Sequence, residues 1–337
     1  ALFAGCPLTS PSARRGSSSQ IMIWRLAACA AVAAAVEDVP PLTVVSGANG
    51  RYALKELAVL LDIKDRARQE NLPVRLIAYN LGQLGECADG DAGKAAPSSL
   101  WDSFGIEYRH FDFRRYPPHV AQLHCYAWKA PIILEVAAEV KNASVVMWID
   151  SGATVAQPLR NVVAKTRANG GYVSDETAKG LARFLHEKVL DYFVAHYGLG
   201  ASLVAEIVEK RKAGGAALDD HEAFSDDLKR FRNCNGAFSA HVWGSPMFEK
   251  ISKNWLACSL VKDCTCPPGS TRANHRQDQA ALTLFSLMNG YVCGSHGKFV
   301  AAHGLRNSQL ILEHHGVHSA KQLSDHQIFC HANTTIK

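Results

Sequence analysis

The 337 residues hold no long block of Lys and Arg. Thirty-six basic side chains against 31 acidic ones leave a formal net charge of +5, scattered along the chain. A nucleic-acid binder's electrostatic footprint is therefore missing, while a local basic cleft for a phosphorylated ligand stays open. The apolar run 26–36 would make a helix of about 16 Å, short of a bilayer core of about 30 Å. No G-x-S-x-G elbow occurs, and no G-x-G-x-x-G follows a strand-like run, which argues against a hydrolase or a dinucleotide enzyme. There is no internal repeat. Cys258, Cys264 and Cys266 follow a C-x5-C-x-C spacing that fits no common zinc pattern.

What is present begins with a leader-like segment, residues 1–37. Arg14, Arg15, several serines and no acid over 1–21 resemble a transit segment. Read from Met22, MIWR is a basic n-region, LAACAAVAAAV an apolar h-region, and small residues follow for cleavage. A signal peptide or weak membrane anchor is the favoured reading. It implies the secretory pathway, in the ER or Golgi lumen, with a plastid as the alternative. In such an oxidising compartment Cys234, Cys258, Cys264, Cys266 and Cys293 are expected to form disulfides. Their connectivity is not readable from spacing. Sequons at Asn142 and Asn333 permit glycosylation.

Residues 38–337 read as one domain. Apolar, strand-like runs at 39–49, 72–82 and 145–150 and an alternating one at 106–113 are separated by helical periods at 51–70 and 124–140. This order predicts an α/β fold with a mostly parallel central sheet flanked by helices. Further on, 177–198 has the pattern of an amphipathic helix, 210–227 of a mobile connection and 233–244 of a strand. Segments 245–260 and 275–290 read as helices, the first entered through Ser245-Pro246.

VVMWIDSGATV, residues 145–155, runs an apolar strand into one carboxylate, Asp150. Ligands in open α/β sheets bind at the carboxyl ends of strands, and a buried acid needs a metal, a donor or water. The competing role is an Asx-type turn through Ser151-Gly152.

The order of these segments resembles the nucleotide-sugar glycosyltransferases of the GT-A fold, and among them a plant, algal and nematode glycosyltransferase-like branch. The resemblance spans 42–155 and 233–290. It implies a transferase with a nucleotide-sugar donor, a UDP-sugar above others, a glycan or protein acceptor and no nucleic-acid partner. In that pattern an Asp-x-Asp pair holds Mn²⁺ or Mg²⁺ against the donor diphosphate. Here the place reads Asp150-Ser151-Gly152, so the second acid is missing and metal dependence is open. The resemblance sets Ser46, Asn49 and Tyr52 of SGANGRY beside the nucleotide base, with cap and helix-packing roles as the competing readings. It sets Lys129 near the diphosphate, against an ordinary solvated helix position, with Arg109, Arg114 and Arg115 as rival cations. HRQDQAALTL matches a D-Q-x-x-L helix beside the donor sugar. Asp278 is then the base in an inverting enzyme or a sugar ligand in a retaining one, Gln279 accompanies it, and His275 and Arg276 precede it by about a turn. The competing role for Asp278 is to complement a helix dipole. A late His as a metal ligand would be His303, ahead of His296 and His314. Trp243 and Trp255 read as packing residues. A binding module that has lost catalysis is the second class of function, motivated by Gly152.

Overall fold

The computed structural model describes residues 41–82, 98–213, 231–302 and 308–317. The chain divides into two units, Ala1–Val39 and Pro40–Lys337, and the described residues all belong to the second. The leader, most of the loop at 83–99, the connection 214–227, His303 and Asn333 lie outside them. Among the described residues no helix is long and apolar enough to cross a membrane.

Strands β1 (Leu42–Ala48), β2 (Val74–Asn80), β3 (Glu107–His110) and β4 (Val145–Ile149) alternate with helices. The major ones are α1 (Ala53–Gln69) and α2 (Lys129–Val140). After β5 (Ala153–Val155) come α3 (Leu159–Ala168), β6 (Tyr172–Gly180), α4 (Glu187–Tyr197), α5 (Ala201–Ala213) and β7 (Arg232–His241). The last elements are α6 (Gln277–Met288), β8 (Val300–Ala302) and α7 (Ser308–His314). The main sheet has the order β3-β2-β1-β4-β7-β6, and β5 pairs with β8 apart from it. Pairs β1–β2, β2–β3 and β1–β4 are parallel, while β7 runs antiparallel to both β4 and β6.

Both faces of this sheet are covered, which is why β1 and β4 read as continuous apolar runs. Val45, Val146 and Trp148 join a core with residues of α2 and α6. Leu42, Val44, Val145 and Met147 turn the other way, toward α1 and α3. The chain builds outward from β1 through β2 to β3, then returns to place β4 on the other side of β1. That reversal makes a crevice at the carboxyl ends of β1 and β4, the position where such sheets take ligands.

Three expected elements are corrected. The helical period over 177–198 is a helix only from Glu187. Residues 172–180 instead extend β6 along β7, with Gly180 opposite Arg232, and Leu181 N–H continues the pairing to Phe231 O at 2.7 Å. Sheet pairing overrides local pattern there. The helix begins where His186 Nδ1 accepts from Lys188 N–H, and it stops at Gly198 in the left-handed region, φ +67°. The helix expected from 124 starts at Lys129, because short turns occupy 118–125 and Tyr126 holds φ +54°. Residues 201–213, partly assigned to a connection, form α5.

Glu56 on α1 is fully buried and neither carboxyl oxygen has a hydrogen-bond partner. Burial holds its pKa well above the usual carboxyl value. The folded chain therefore keeps a proton that the unfolded chain releases. This stabilisation is complete below the unfolded carboxyl's pKa and is lost as pH rises through the raised one. Glu56→Gln keeps the shape without the titration, so its melting temperature should gain on wild type as pH rises above the unfolded carboxyl's range. Parallel melting curves for the two proteins would contradict this.

Candidate functional site

A cleft of about 720 Å³ opens at the carboxyl ends of β1 and β4. Gly47, Ala48 and Asn49 line it at the end of β1, Asp150 to Ala153 between β4 and the start of β5, and Gln277, Asp278 and Gln279 from the start of α6. Asp150 and Asp278, 128 positions apart in the sequence, thus share one hollow.

Lys129, expected to be solvated or to face a diphosphate, is instead 2 % exposed. Its Nζ donates to Asp150 Oδ1 at 2.8 Å and to Gly236 O at 2.7 Å, and lies 3.8 Å from Asp278 Oδ2. Tyr126, Trp128 and Trp148 surround it, with ring centroids 5.3, 5.7 and 5.5 Å away. Burial alone would pull this ammonium's pKa down; Asp150 and Asp278 outweigh that and leave it raised. Trp148 lies two residues before Asp150, so the side chains leave the strand on one side. Its indole N–H donates to Asp150 Oδ1 at 2.8 Å. Asp150 is therefore no simple turn cap: it is fixed by two donors and still 36 % exposed to the cleft.

Asp278 is 3 % exposed, and its Oδ2 has no hydrogen-bond partner among the described residues. Burial pushes its pKa up to about 6, against the pull of Lys129 and with the push of Asp150. An exposed first-turn acid complementing a helix dipole would have neither property. The backbone carries strain next to it, since Gln277, which opens α6, holds φ +31°. Gly236 in β7 explains how α6 comes so near. A Cβ there would meet Gln279 Cγ and Nε2 at 2.9 Å and Asp278 Oδ2 at 3.0 Å. Glycine in mid-strand marks such an approach; NCNG carried the signal, and the sequence reading did not use it.

On the β1 side, Asn49 precedes a short turn but its side chain makes no cap hydrogen bond, and its Oδ1 is buried without a partner. Tyr52 lines the cleft with 38 % exposure, and Lys55 Nζ lies 5.9 Å from its ring centroid. Ser46 is different: it is fully buried within β1 and does not line the cleft, so the expected base contact is corrected. Ser151, Gly152 and Gln279 do line it.

His275 also needs correcting. It is buried outside the lining, donates from Nε2 to Thr265 O at 2.9 Å and accepts at Nδ1 from His186 N–H at 3.3 Å. Burial pushes its pKa down to about 4, so it is a neutral cross-link between loops. Arg109 pairs with Glu107 and Glu139, Arg114 with Asp112, and Arg115 with Glu135, none of them at the cleft. Trp255 is buried, as a packing residue should be.

The outer wall was not foreseen. Arg272 donates to Tyr126 OH and stands over its ring at 5.4 Å, and both line the cleft. Cys125–Cys266 ties the Tyr126 turn to the segment leading to Arg272. Cys234–Cys293 ties β7 to the chain beyond α6, and Cys258–Cys264 closes a small loop. The first bridge spans 141 residues, and closing so long a loop contributes about 2–5 kcal/mol. Cys125→Ser should therefore melt lower than wild type in oxidising buffer and at the same temperature as wild type in strong reductant. Equal melting in both buffers would mean the bridge is not formed.

Mn²⁺ and Mg²⁺ are hard cations that take about six or more oxygen ligands. Among the described residues the cleft offers two carboxylates, and both already face the Lys129 ammonium. Gly152 offers no side chain, although a Cβ there would meet nothing within 4 Å. His124 lies near two sulfurs, but Cys125 and Cys266 are joined as a disulfide. A second cluster, Asp65, His314 and His315, sits on α1 and at the end of α7, outside the cleft. Two acids already facing a resident ammonium, with glycine where a second strand-end acid would stand, make a weak donor set for a divalent cation.

No family model matches the chain, and no curated protein does. Solved structures do. The bifunctional glycosyltransferase WbbM, in its apo form, is 12 % identical over 73 % of this chain and 38 % of its own, at a TM-score of 0.39. The chain thus spans well under half of that protein. The galactosyltransferase LgtC, in complex with donor and acceptor sugar analogs, is 13 % identical over 75 % of this chain and 72 % of its own, at 0.37. Core-mannan synthase A from Aspergillus fumigatus, in its Mn/GDP form, is 9 % identical over 74 % and 70 %, at 0.41.

Proposed function

We propose that this chain is a glycosyltransferase of the GT-A type, moving a sugar from a nucleoside-diphosphate donor, a UDP-sugar first of all, to an acceptor hydroxyl. The observation that carries the reading is Asp278: a buried carboxylate whose Oδ2 has no hydrogen-bond partner among the described residues, lining a cleft at the switch point of the sheet. A base whose pKa lies near 6 is deprotonated at neutral pH yet still basic. Asp278 takes the acceptor proton as the acceptor oxygen bonds to the sugar's anomeric carbon. The nucleoside diphosphate leaves with the electron pair of the broken bond. Asn49 Oδ1 and the Tyr52 ring meet the base across the cleft, where an aromatic face can stack on uracil. Asp150, held by Lys129 and Trp148, orients donor hydroxyls through its exposed oxygen.

The acceptor is a glycan or a protein hydroxyl. The three cystines among the described residues and the leader-like sequence support a place in the secretory lumen, with anchorage through the N-terminus. A panel of UDP- and GDP-sugars on the full chain, with Mn²⁺ and with chelator, tests the activity. Turnover is expected for at least one donor and should be lost in Asp150→Asn and Asp278→Asn with the fold retained. Variants that keep wild-type rates would remove both residues from the site. Nucleotide bound but never consumed would favour a binding module instead.

A further inference from the structure

The cleft holds more cations than its acids need, and this points to how it takes an anion. Lys55, Lys129 and Arg272 line it against Asp150 and Asp278. Lys129 is committed: its ammonium bonds Asp150 and Gly236 and lies beside Asp278. Asp150 Oδ1, Gly236 O and Asp278 Oδ2 thus all face an ammonium that is already there. An added dication would stand next to a buried like charge, with Gly152 offering no ligand to compensate.

On the exposed side, Arg272 is held in place. Its guanidinium is fixed to the Tyr126 hydroxyl and ring, Tyr126 sits in a left-handed turn at φ +54°, and Cys125–Cys266 joins the two segments. Arginine's fork suits two phosphate oxygens at once. Lys55 also lines the cleft, beside Tyr52.

We propose that the diphosphate subsite of this cleft works without a divalent cation. The Lys129 ammonium is the resident counter-ion of the two acids, and Arg272 with Lys55 receives the ligand's diphosphate. The inference rests on the transferase reading for the identity of the ligand, and on the donor set for the absence of metal from the subsite. In the transferase, Arg272 and Lys55 then stabilise the negative charge that grows on the departing diphosphate.

The test is calorimetric titration of the full chain with inorganic pyrophosphate and with UDP, in chelator and then in Mn²⁺. Both should bind in chelator, with affinity unchanged by the metal. Arg272→Gln should weaken both by about tenfold or more, a loss of about 1.4 kcal/mol or greater, and Arg272→Lys should recover part of it. Titration of Mn²⁺ alone, followed by its free-ion paramagnetic resonance signal, should show no saturable site. Pyrophosphate that binds only with Mn²⁺, or not at all, overturns the proposal, as does a saturable Mn²⁺ site abolished by Asp150→Asn. Sugar-nucleotide turnover strictly dependent on Mn²⁺ would overturn it while the transferase reading stands. Pyrophosphate bound in chelator with no turnover of any donor would do the reverse.

Discussion

Asp278→Asn is expected to reduce turnover by about 10²–10⁴-fold, the usual worth of a positioned general base. The reason lies in its surroundings. Asp278 is buried, unpartnered at Oδ2, and has its pKa raised to about 6 by that burial. Wild-type kcat/KM should therefore fall on the acid side through about pH 6 as this carboxylate takes up its proton. The stability effect has the opposite sense. A carboxyl whose folded pKa is raised stabilises the fold fully below its unfolded pKa, and that contribution is lost as pH rises through about 6. Asn at 278 cannot ionise, so the variant should hold its melting temperature better than wild type between pH 5 and 8. An inactive variant whose melting temperature tracks wild type across this range would place the acid in solvent. An active one would take it out of the reaction.

Lys129→Met should cost about 3–5 kcal/mol, because it strands a buried carboxylate. For a chain of this size that is a fall of roughly 6–20 °C in melting temperature. Asp150 Oδ1 would retain only the Trp148 indole, and Asp278 would lose its nearest positive charge. Lys129→Arg should not rescue it fully, since a compact ammonium donates to Asp150 and Gly236 O from among three aromatic rings, and a planar fork does not reproduce that geometry. Thermal melting checks both variants, and a shift of only a degree or two would show that the charge pair is solvated.

Much of this cleft was legible beforehand, and the failures have physical causes. β1, β2 and β4 were readable because buried parallel strands are apolar along their whole length. The acids at 150 and 278 stood out as polar residues at the edges of such elements. His275 misled because helical spacing places it one turn before Asp278, whereas the helix starts only at Gln277, where the backbone bends into positive φ. Lys129 looked like a surface residue because its acid partners are 21 and 149 positions away, and local pattern does not reach so far. Arg272 and Tyr126 meet across 146 residues through a disulfide bridge whose pairing no spacing reveals. The segment 177–180 carried a helical pattern and became strand because β7 was there to pair with it.

Gly236 offers a way to sort unfamiliar sequences. A hydrogen atom is all that separates the middle of one strand from the amide and acid of the neighbouring helix. A homologue with alanine or anything larger at that position must have shifted the helix and the acid with it. One column of an alignment would then divide chains that can keep this reactive arrangement from those that have traded it for another use.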